Sequence, residues 1–191
     1  MSKEVELRCR CGEVIGLVEN ASPQKVNRVV CYCDDCQAFA HQLGRGDLLN
    51  AQGGTDIIQV APASLIFVKG QYRIAGLRLT PKGLFRWHTT CCNTPVGNTL
   101  GPAIPFVGIV AQAFDGGPQR VDSVFGAPIG AILGKYAIGE GTGGIHRHKL
   151  VRPAACDHKS AWLAPARAGL AAPVLPAEDP RGDLSADRAG A

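Results

Sequence analysis

The sequence predicts a mainly β protein, an antiparallel sandwich or barrel of short strands with a few short helices. The chain of 191 residues contains 24 glycines and 13 prolines, and both residue types disfavour the interior of a helix. Short apolar and β-branched runs also alternate regularly with turn residues. That spacing is typical of antiparallel β folds rather than of α/β sheets.

The first third of the chain predicts three strands and one helix. The strands are expected at residues 4–8, 14–18 and 26–32, and the helix from residue 34 or 35 to residue 43. The first two strands should pair as a hairpin. Asp34 or Asp35 is expected to cap the helix, and Gly44 should end it.

The rest of the domain continues the β pattern. Strands are expected at residues 57–60, 65–68, 72–79 and 84–88, and short helices or apolar loops at residues 104–114 and 127–136. We therefore expect one β domain over residues 1–164. Residues 165–191 are rich in Ala, Pro, Gly, Asp and Arg with little apolar periodicity, which predicts a disordered tail.

Charge and hydropathy exclude several partners. The net charge is +4 and is dispersed, so no nucleic-acid partner is expected. Residues 1–6 have no apolar run behind their charges and do not form a secretory signal. The most apolar segment, residues 100–114, is broken by Gly and Pro and is shorter than the roughly 20 residues that span a bilayer. We expect a cytoplasmic protein, without membrane association, whose thiols stay reduced.

The cysteines predict metal sites rather than disulfides. Seven of the eight lie in three tight groups: Cys9 and Cys11; Cys31, Cys33 and Cys36; and Cys91 and Cys92. Disulfide frameworks usually space their cysteines more widely, and adjacent cysteines could pair only with strain. We therefore expect the cysteines to bind metal.

The central group, Cys31-Tyr32-Cys33-Asp34-Asp35-Cys36, has spacing suited to one zinc ion. Side chains alternate along a strand, so Cys31 and Cys33 project the same way, and one turn brings Cys36 back toward them. Zn²⁺ binds four ligands at about 2.3 Å from each sulfur, so three cysteines leave one position open. The alternative is a structural site closed by His41 or Asp34.

The three groups together resemble the glutathione-dependent formaldehyde-activating enzyme family, also named for centromere protein V. The resemblance covers roughly residues 5 to 115 and rests on Cys9-Arg10-Cys11-Gly12, the central group, and the run from Trp87 to Pro95. It implies a Mss4-like β fold with a structural zinc held by the outer groups. It also implies a catalytic zinc held by Cys31, Cys33 and Cys36.

The third group departs from the family pattern, so two registers remain open. If Trp87 sets the register, His88 and Cys91 join Cys9 and Cys11 at the structural zinc. If Thr94-Pro95 sets it, Cys91 and Cys92 complete a four-thiolate site. We favour the second register because soft sulfur ligands match the partners already present.

Two neighbours of the central group also differ from the family. Tyr32 stands where the family usually has His, and Gln37 where it has Arg. We expect both to pack or hydrogen-bond around the ligands rather than to line a pocket. Arg78, Lys82 and Arg86 could attract an anionic substrate such as a carboxylated thiol. A solvated strand face would explain these three basic residues equally well.

The chemistry expected of a three-thiolate zinc is thiol chemistry. Three negative sulfurs make the ion a poor Lewis acid for water but suit it to binding a substrate thiol as a thiolate. The resemblance implies a carbon–sulfur lyase acting on the adduct of a glutathione-like thiol with a one-carbon aldehyde. The alternative is a non-catalytic binding module stabilised by two structural zinc ions.

Overall fold

The structure, a computed structural model, describes residues 3–101, 104 and 106–139. The described part is mainly β, as predicted, with ten strands and two α-helices joined by short 3-10 turns. The strands are β1 Lys3–Arg8, β2 Ile15–Ala21, β3 Asn27–Cys31, β4 Thr55–Val60, β5 Leu65–Lys69, β6 Ile74–Leu77, β7 Phe85–Thr89, β8 Pro95–Thr99, β9 Val107–Val110 and β10 Gly130–Ile132. The helices are α1 Asp34–Gln42 and α2 Gly117–Phe125. The tail predicted at residues 165–191 lies outside the described residues.

The strands form two sheets. One sheet has three strands in the order β1-β2-β5, and the other has seven in the order β10-β3-β4-β9-β8-β7-β6. Neighbouring strands are antiparallel except for β10, which runs parallel to β3. The long connection from β9 through α2 lets the chain return in the same direction as β3, which a tight hairpin does not permit.

The core lies between the two sheets and is closed by α2. The predicted hairpin forms, with Val5 of β1 opposite Val18 of β2. Both side chains pack with Ile58 and Ile109 of the large sheet, and all four are at most 1% exposed. From α2, Val121 joins the same cluster. The small sheet and α2 therefore cover one face of the large sheet.

Two segments predicted as helices or apolar loops each contain a strand. Residues 104–114 contain β9 and the 3-10 turn Ala111–Ala113, and residues 127–136 contain β10 and the 3-10 turn Gly134–Tyr136. In the middle of a sheet, β9 is buried on both faces, and its Ile109 and Val110 are at most 3% exposed. Such a strand has no alternation of apolar and polar residues, so its apolar run does not distinguish strand from helix.

Helix α2 was not predicted, although its sequence carries two helix signals. Pro118 lies in its first turn, a position at which proline suits a helix. Val121, Val124 and Phe125 are buried and follow the spacing of one helix face. Neither described helix is long and apolar enough to span a lipid bilayer.

Candidate metal centres

Seven cysteine sulfurs gather into two groups that could hold metal ions. Within each group all sulfurs lie within 4.8 Å of one another, and all seven cysteines of the described residues are free. Neighbouring sulfurs lie 3.5 to 3.9 Å apart, far beyond the length of a disulfide bond, about 2.05 Å. They match the edge of a sulfur tetrahedron around a zinc ion, about 3.8 Å.

The four-cysteine group consists of Cys9, Cys11, Cys91 and Cys92. The Cys9 sulfur lies 3.5 Å from that of Cys11 and 3.9 Å from that of Cys91, and the Cys91 and Cys92 sulfurs are 3.9 Å apart. One pair comes from the loop after β1 and the other from the loop after β7. The group therefore ties the small sheet to the large one.

Both loops turn sharply just after their second cysteine. Gly12 has φ 75° and Asn93 has φ 52°, in the left-handed region that glycine and asparagine tolerate best. The Gly12 N–H donates to the Cys9 carbonyl at 2.9 Å, and the Asn93 N–H donates to the Thr89 carbonyl at 2.9 Å. The Val14 N–H also donates to the Cys9 sulfur at 3.2 Å. These turns direct the sulfurs of each loop toward those of the other.

Two threonines favour the metal-binding form of Cys92. Their hydroxyl oxygens lie 3.4 Å (Thr89) and 3.2 Å (Thr94) from the Cys92 sulfur. Burial alone would raise the pKa of Cys92, but the hydrogen bonds from both threonines outweigh it and lower the pKa to about 5. The thiolate is the form that binds a metal ion. Hydrogen bonds from these threonines to the Cys92 sulfur were not predicted from the sequence, although both residues flank the cysteine pair.

The structure places His88 outside the four-cysteine group. Because side chains alternate along β7, His88 projects to the same face as Arg86, and both contact Phe39 of α1. The His88 and Phe39 ring centroids are 6.4 Å apart, and burial lowers the pKa of the imidazole. Its Nδ1 has no hydrogen-bond partner among the described residues. The structure thus brings together the four-thiolate set that includes Cys91 and Cys92, and not the set that includes His88.

The three-cysteine group is built where β3 meets α1. Cys31 is the last residue of β3, and its sulfur lies 3.5 Å from that of Cys33 and 3.7 Å from that of Cys36. Cys33, rather than Asp34 or Asp35 as predicted, caps α1, and its sulfur accepts the Cys36 N–H at 3.3 Å. A thiolate can replace the usual oxygen cap because it also accepts from the backbone at the positive end of the helix.

Charge in this group is concentrated on Cys33. Hydrogen bonds from the Cys31 and Cys36 thiols lower the pKa of Cys33 far below its usual value. The positive end of α1 adds to this effect. Neither of the ligands considered for closing the site joins the group: His41 and Asp34 are both exposed. Among the described residues, no fourth cysteine, histidine or carboxylate completes it.

Arg86 lies against the three-cysteine group and is 1% exposed. Its Nη1 is 3.5 Å from the Cys36 sulfur, and its Nη2 is 3.4 Å from a carboxylate oxygen of Asp35. Burial would lower the pKa of the guanidinium, but the interactions with Cys36, with the charged Cys33 and with Asp35 raise it. The solvated-face interpretation is therefore wrong for Arg86, whereas Arg78 and Lys82 are exposed.

Tyr32 and Gln37 hydrogen-bond around the ligands, as predicted. Gln37 Nε2 donates to the carbonyls of Tyr32 at 2.9 Å and Tyr136 at 3.1 Å. Asn50 Nδ2 donates to the Tyr32 hydroxyl at 3.1 Å. These bonds attach the loop after α1 and the turn after β10 to the cysteine segment. Their role is to hold the backbone that carries Cys31 and Cys33.

Comparisons with known proteins give a family and distant structural similarity. No curated protein matches the chain. A Rhodobacter sphaeroides protein, whose crystal structure was solved as a Northeast Structural Genomics target, is 16% identical with a TM-score of 0.45, over 60% of this chain and 92% of that one. The family model DUF6151, described as a family of unknown function, matches residues 1–149. The chain belongs to the DUF6151 family.

Proposed function

We propose that this protein is a two-zinc enzyme of the carbon–sulfur lyase type, with a Mss4-like β fold, that acts on the adduct of a small thiol with an aldehyde. The three-cysteine group is the observation that carries the proposal. Three sulfurs converge there, and no fourth protein ligand joins them among the described residues. A tetrahedral ion held by three ligands keeps one position for a substrate.

The donor atoms support zinc as the metal. Both groups offer only sulfur from cysteine, at spacings that fit a tetrahedron. Soft thiolate ligands select zinc over magnesium, calcium or manganese. The four-cysteine group has a complete set of protein ligands and would be structural, since it joins loops of two sheets. The three-cysteine group would be the reactive centre.

The residues around the three-cysteine group suit the release of a thiolate. A zinc ion bound there would stabilise the substrate sulfur as a thiolate. Arg86 offsets negative charge next to Cys36, and apolar side chains such as Phe39 and Ile57 line the adjoining cleft. In the reaction, the carbon–sulfur bond breaks and sulfur keeps the electron pair. The hydroxyl proton passes to water as the hydroxyl carbon becomes the aldehyde carbonyl.

The reaction can be tested by exchange NMR of glutathione mixed with formaldehyde. We expect the zinc-loaded protein to accelerate exchange between the free thiol and its hydroxymethyl adduct. Cys33→Ser should abolish the acceleration while leaving the melting temperature nearly unchanged, because Cys33 would serve the reactive zinc rather than the core. Equal exchange rates with and without the protein would refute a lyase acting on this adduct.

A non-catalytic module with two structural zinc ions is the second candidate. The burial of Cys31 and Cys36, which are 6% and 5% exposed, favours it because closed structural sites are shielded from solvent. In that case Cys33→Ser should release metal and lower the melting temperature strongly. The melt and the zinc count of this one variant therefore separate the two candidates.

A further inference from the structure

Arg86 has a free edge, the side of its guanidinium on which two nitrogen atoms lack hydrogen-bond partners among the described residues. Nε and Nη2 lie on one side of the planar guanidinium, and together they can donate two parallel hydrogen bonds to one carboxylate. Neither atom has a hydrogen-bond partner among the described residues, although both are buried. The contact of Nη2 with Asp35, at 3.4 Å, is an ion pair without hydrogen-bond geometry.

The two other buried arginines of the described chain show what this edge normally does. Arg28 donates from Nε and Nη2 to the two carboxylate oxygens of Asp56, at 3.1 and 2.6 Å. Arg45 uses the same two atoms on Asp47, at 2.8 and 2.9 Å. Arg86 is more buried than either, yet its Nε and Nη2 lack this partner. Leaving buried charged donors unpaired is costly, which indicates a ligand at this position.

A second unpaired group faces the same cleft. The Thr55 hydroxyl is buried and has no hydrogen-bond partner among the described residues, and Thr55 lines the cleft together with Arg86 and Cys36. Thr55 lies directly opposite Cys31 in the β3–β4 ladder. The other residues that line the cleft are apolar or glycine, except for Asn98. A charged ligand would therefore gain strongly from the few polar groups present.

We propose that the free edge of Arg86 and the Thr55 hydroxyl bind the carboxylate of a small thiol, whose sulfur reaches the three-cysteine group. This inference rests on the proposed function and narrows its substrate to a mercaptocarboxylate. Nη1 of the same guanidinium lies 3.5 Å from the Cys36 sulfur, so the free edge belongs to a side chain that adjoins the three-cysteine group, and a ligand with a short link between thiol and carboxylate suits it.

The test uses the full chain loaded with cobalt, whose absorption reports ligand exchange without requiring turnover. The probes are 3-mercaptopropionate and 3-mercapto-1-propanol, which have the same length and differ in the carboxylate. We expect 3-mercaptopropionate to bind about tenfold more tightly or better, because it gains charge-assisted hydrogen bonds. Thr55→Val, which keeps the side-chain size, should reduce this preference about fivefold. Arg86→Lys, which keeps the charge but loses the planar edge, should nearly abolish it.

Each failure has a separate meaning. If neither thiol changes the cobalt spectrum, the three-cysteine group has no position for a thiol, and the proposed function fails together with this inference. If both thiols bind equally well to the wild type, the thiol position stands but the carboxylate subsite is refuted. A preference that survives unchanged in Thr55→Val and Arg86→Lys would mean that the carboxylate contacts the metal, and it would refute the subsite as well.

Discussion

Arg86 sets the charge of the three-cysteine group. Three thiolates around a divalent ion carry a net charge of −1, which is costly to bury without a neighbouring cation. Arg86 supplies that cation at 3.5 Å from the Cys36 sulfur while almost completely shielded from water. The guanidinium would therefore both stabilise the metal-loaded group and favour a further anionic ligand. The proposed reactive centre therefore consists of an arginine and three cysteines rather than three cysteines alone.

His88 provides a residue-level test of the ligand set. We expect His88→Gln to retain the same number of zinc ions per chain as the wild type, because the imidazole lies against Phe39 and not among the sulfurs. Cys92→Ser is the matched control and should lower the zinc content, since it removes one of the four sulfurs. Elemental analysis of the purified variants measures both. Loss of one zinc ion from His88→Gln would show instead that His88 is a zinc ligand.

The limits of prediction from sequence are clearest at single residues. Spacing alone predicts that Cys31, Cys33 and Cys36 converge, because strand alternation and one helical turn determine their directions. Spacing cannot determine which face of β7 carries His88, because that depends on the pairing register. It also cannot reveal that Arg86 is buried, since its neighbours Phe85 and Trp87 indicate only that some residues of the strand face the core.

At the scale of elements, β3 is the strand on which the site depends. It delivers Cys31 to the group, pairs with β4 on one side and β10 on the other, and leads directly into α1. Its position is maintained by Arg28, which is 6% exposed and binds Asp56 of β4 and Asp122 of α2. The guanidinium also donates to the Gly126 carbonyl at the end of α2. One side chain thus joins two strands and a helix.

Replacing Arg28 should therefore destabilise the fold more than an exposed ion pair would. We expect Arg28→Ala to lower the free energy of unfolding by about 2–4 kcal/mol, because Asp56 loses its buried partner. Asp122→Asn is the milder control at about 1 kcal/mol or less, since the Asp122 side chain is 63% exposed. Urea unfolding of the zinc-loaded variants measures both changes. If both substitutions lowered the free energy of unfolding equally, the ion pair of Arg28 with Asp56 would add nothing to the stability.

Elements were predictable where the pattern was local. The β1–β2 hairpin and α1 follow from alternation and helix signals, and both form close to the predicted residues. Strands β8 and β10 could not be predicted in the same way. Pro95 begins β8 directly after the cysteine pair, and β10 has only three residues. Such strands form because a sheet edge or neighbour is available, which is tertiary information.

At the scale of the whole molecule, the two cysteine groups have different places in the architecture. The four-cysteine group joins the loop of the β1–β2 hairpin to the β7–β8 loop, and thereby links the two sheets. The three-cysteine group lies at the end of β3, next to Arg86 of β7. Cys36 and Arg86 both line a cleft, and residues of α1 form part of its wall. One metal would hold the sheets together, and the other would lie at a cleft between α1 and the large sheet.

The most direct test of this division is X-ray absorption spectroscopy at the zinc edge of the fully loaded protein. We expect two zinc ions per chain that share seven sulfur ligands, an average of about 3.5 sulfurs per ion with lighter atoms completing the shells. Adding 3-mercaptopropionate should raise the average to about four, because the thiol takes the open position. A single zinc ion per chain, or a sulfur count that does not change when the thiol is added, would contradict the assignment of one closed and one open zinc site.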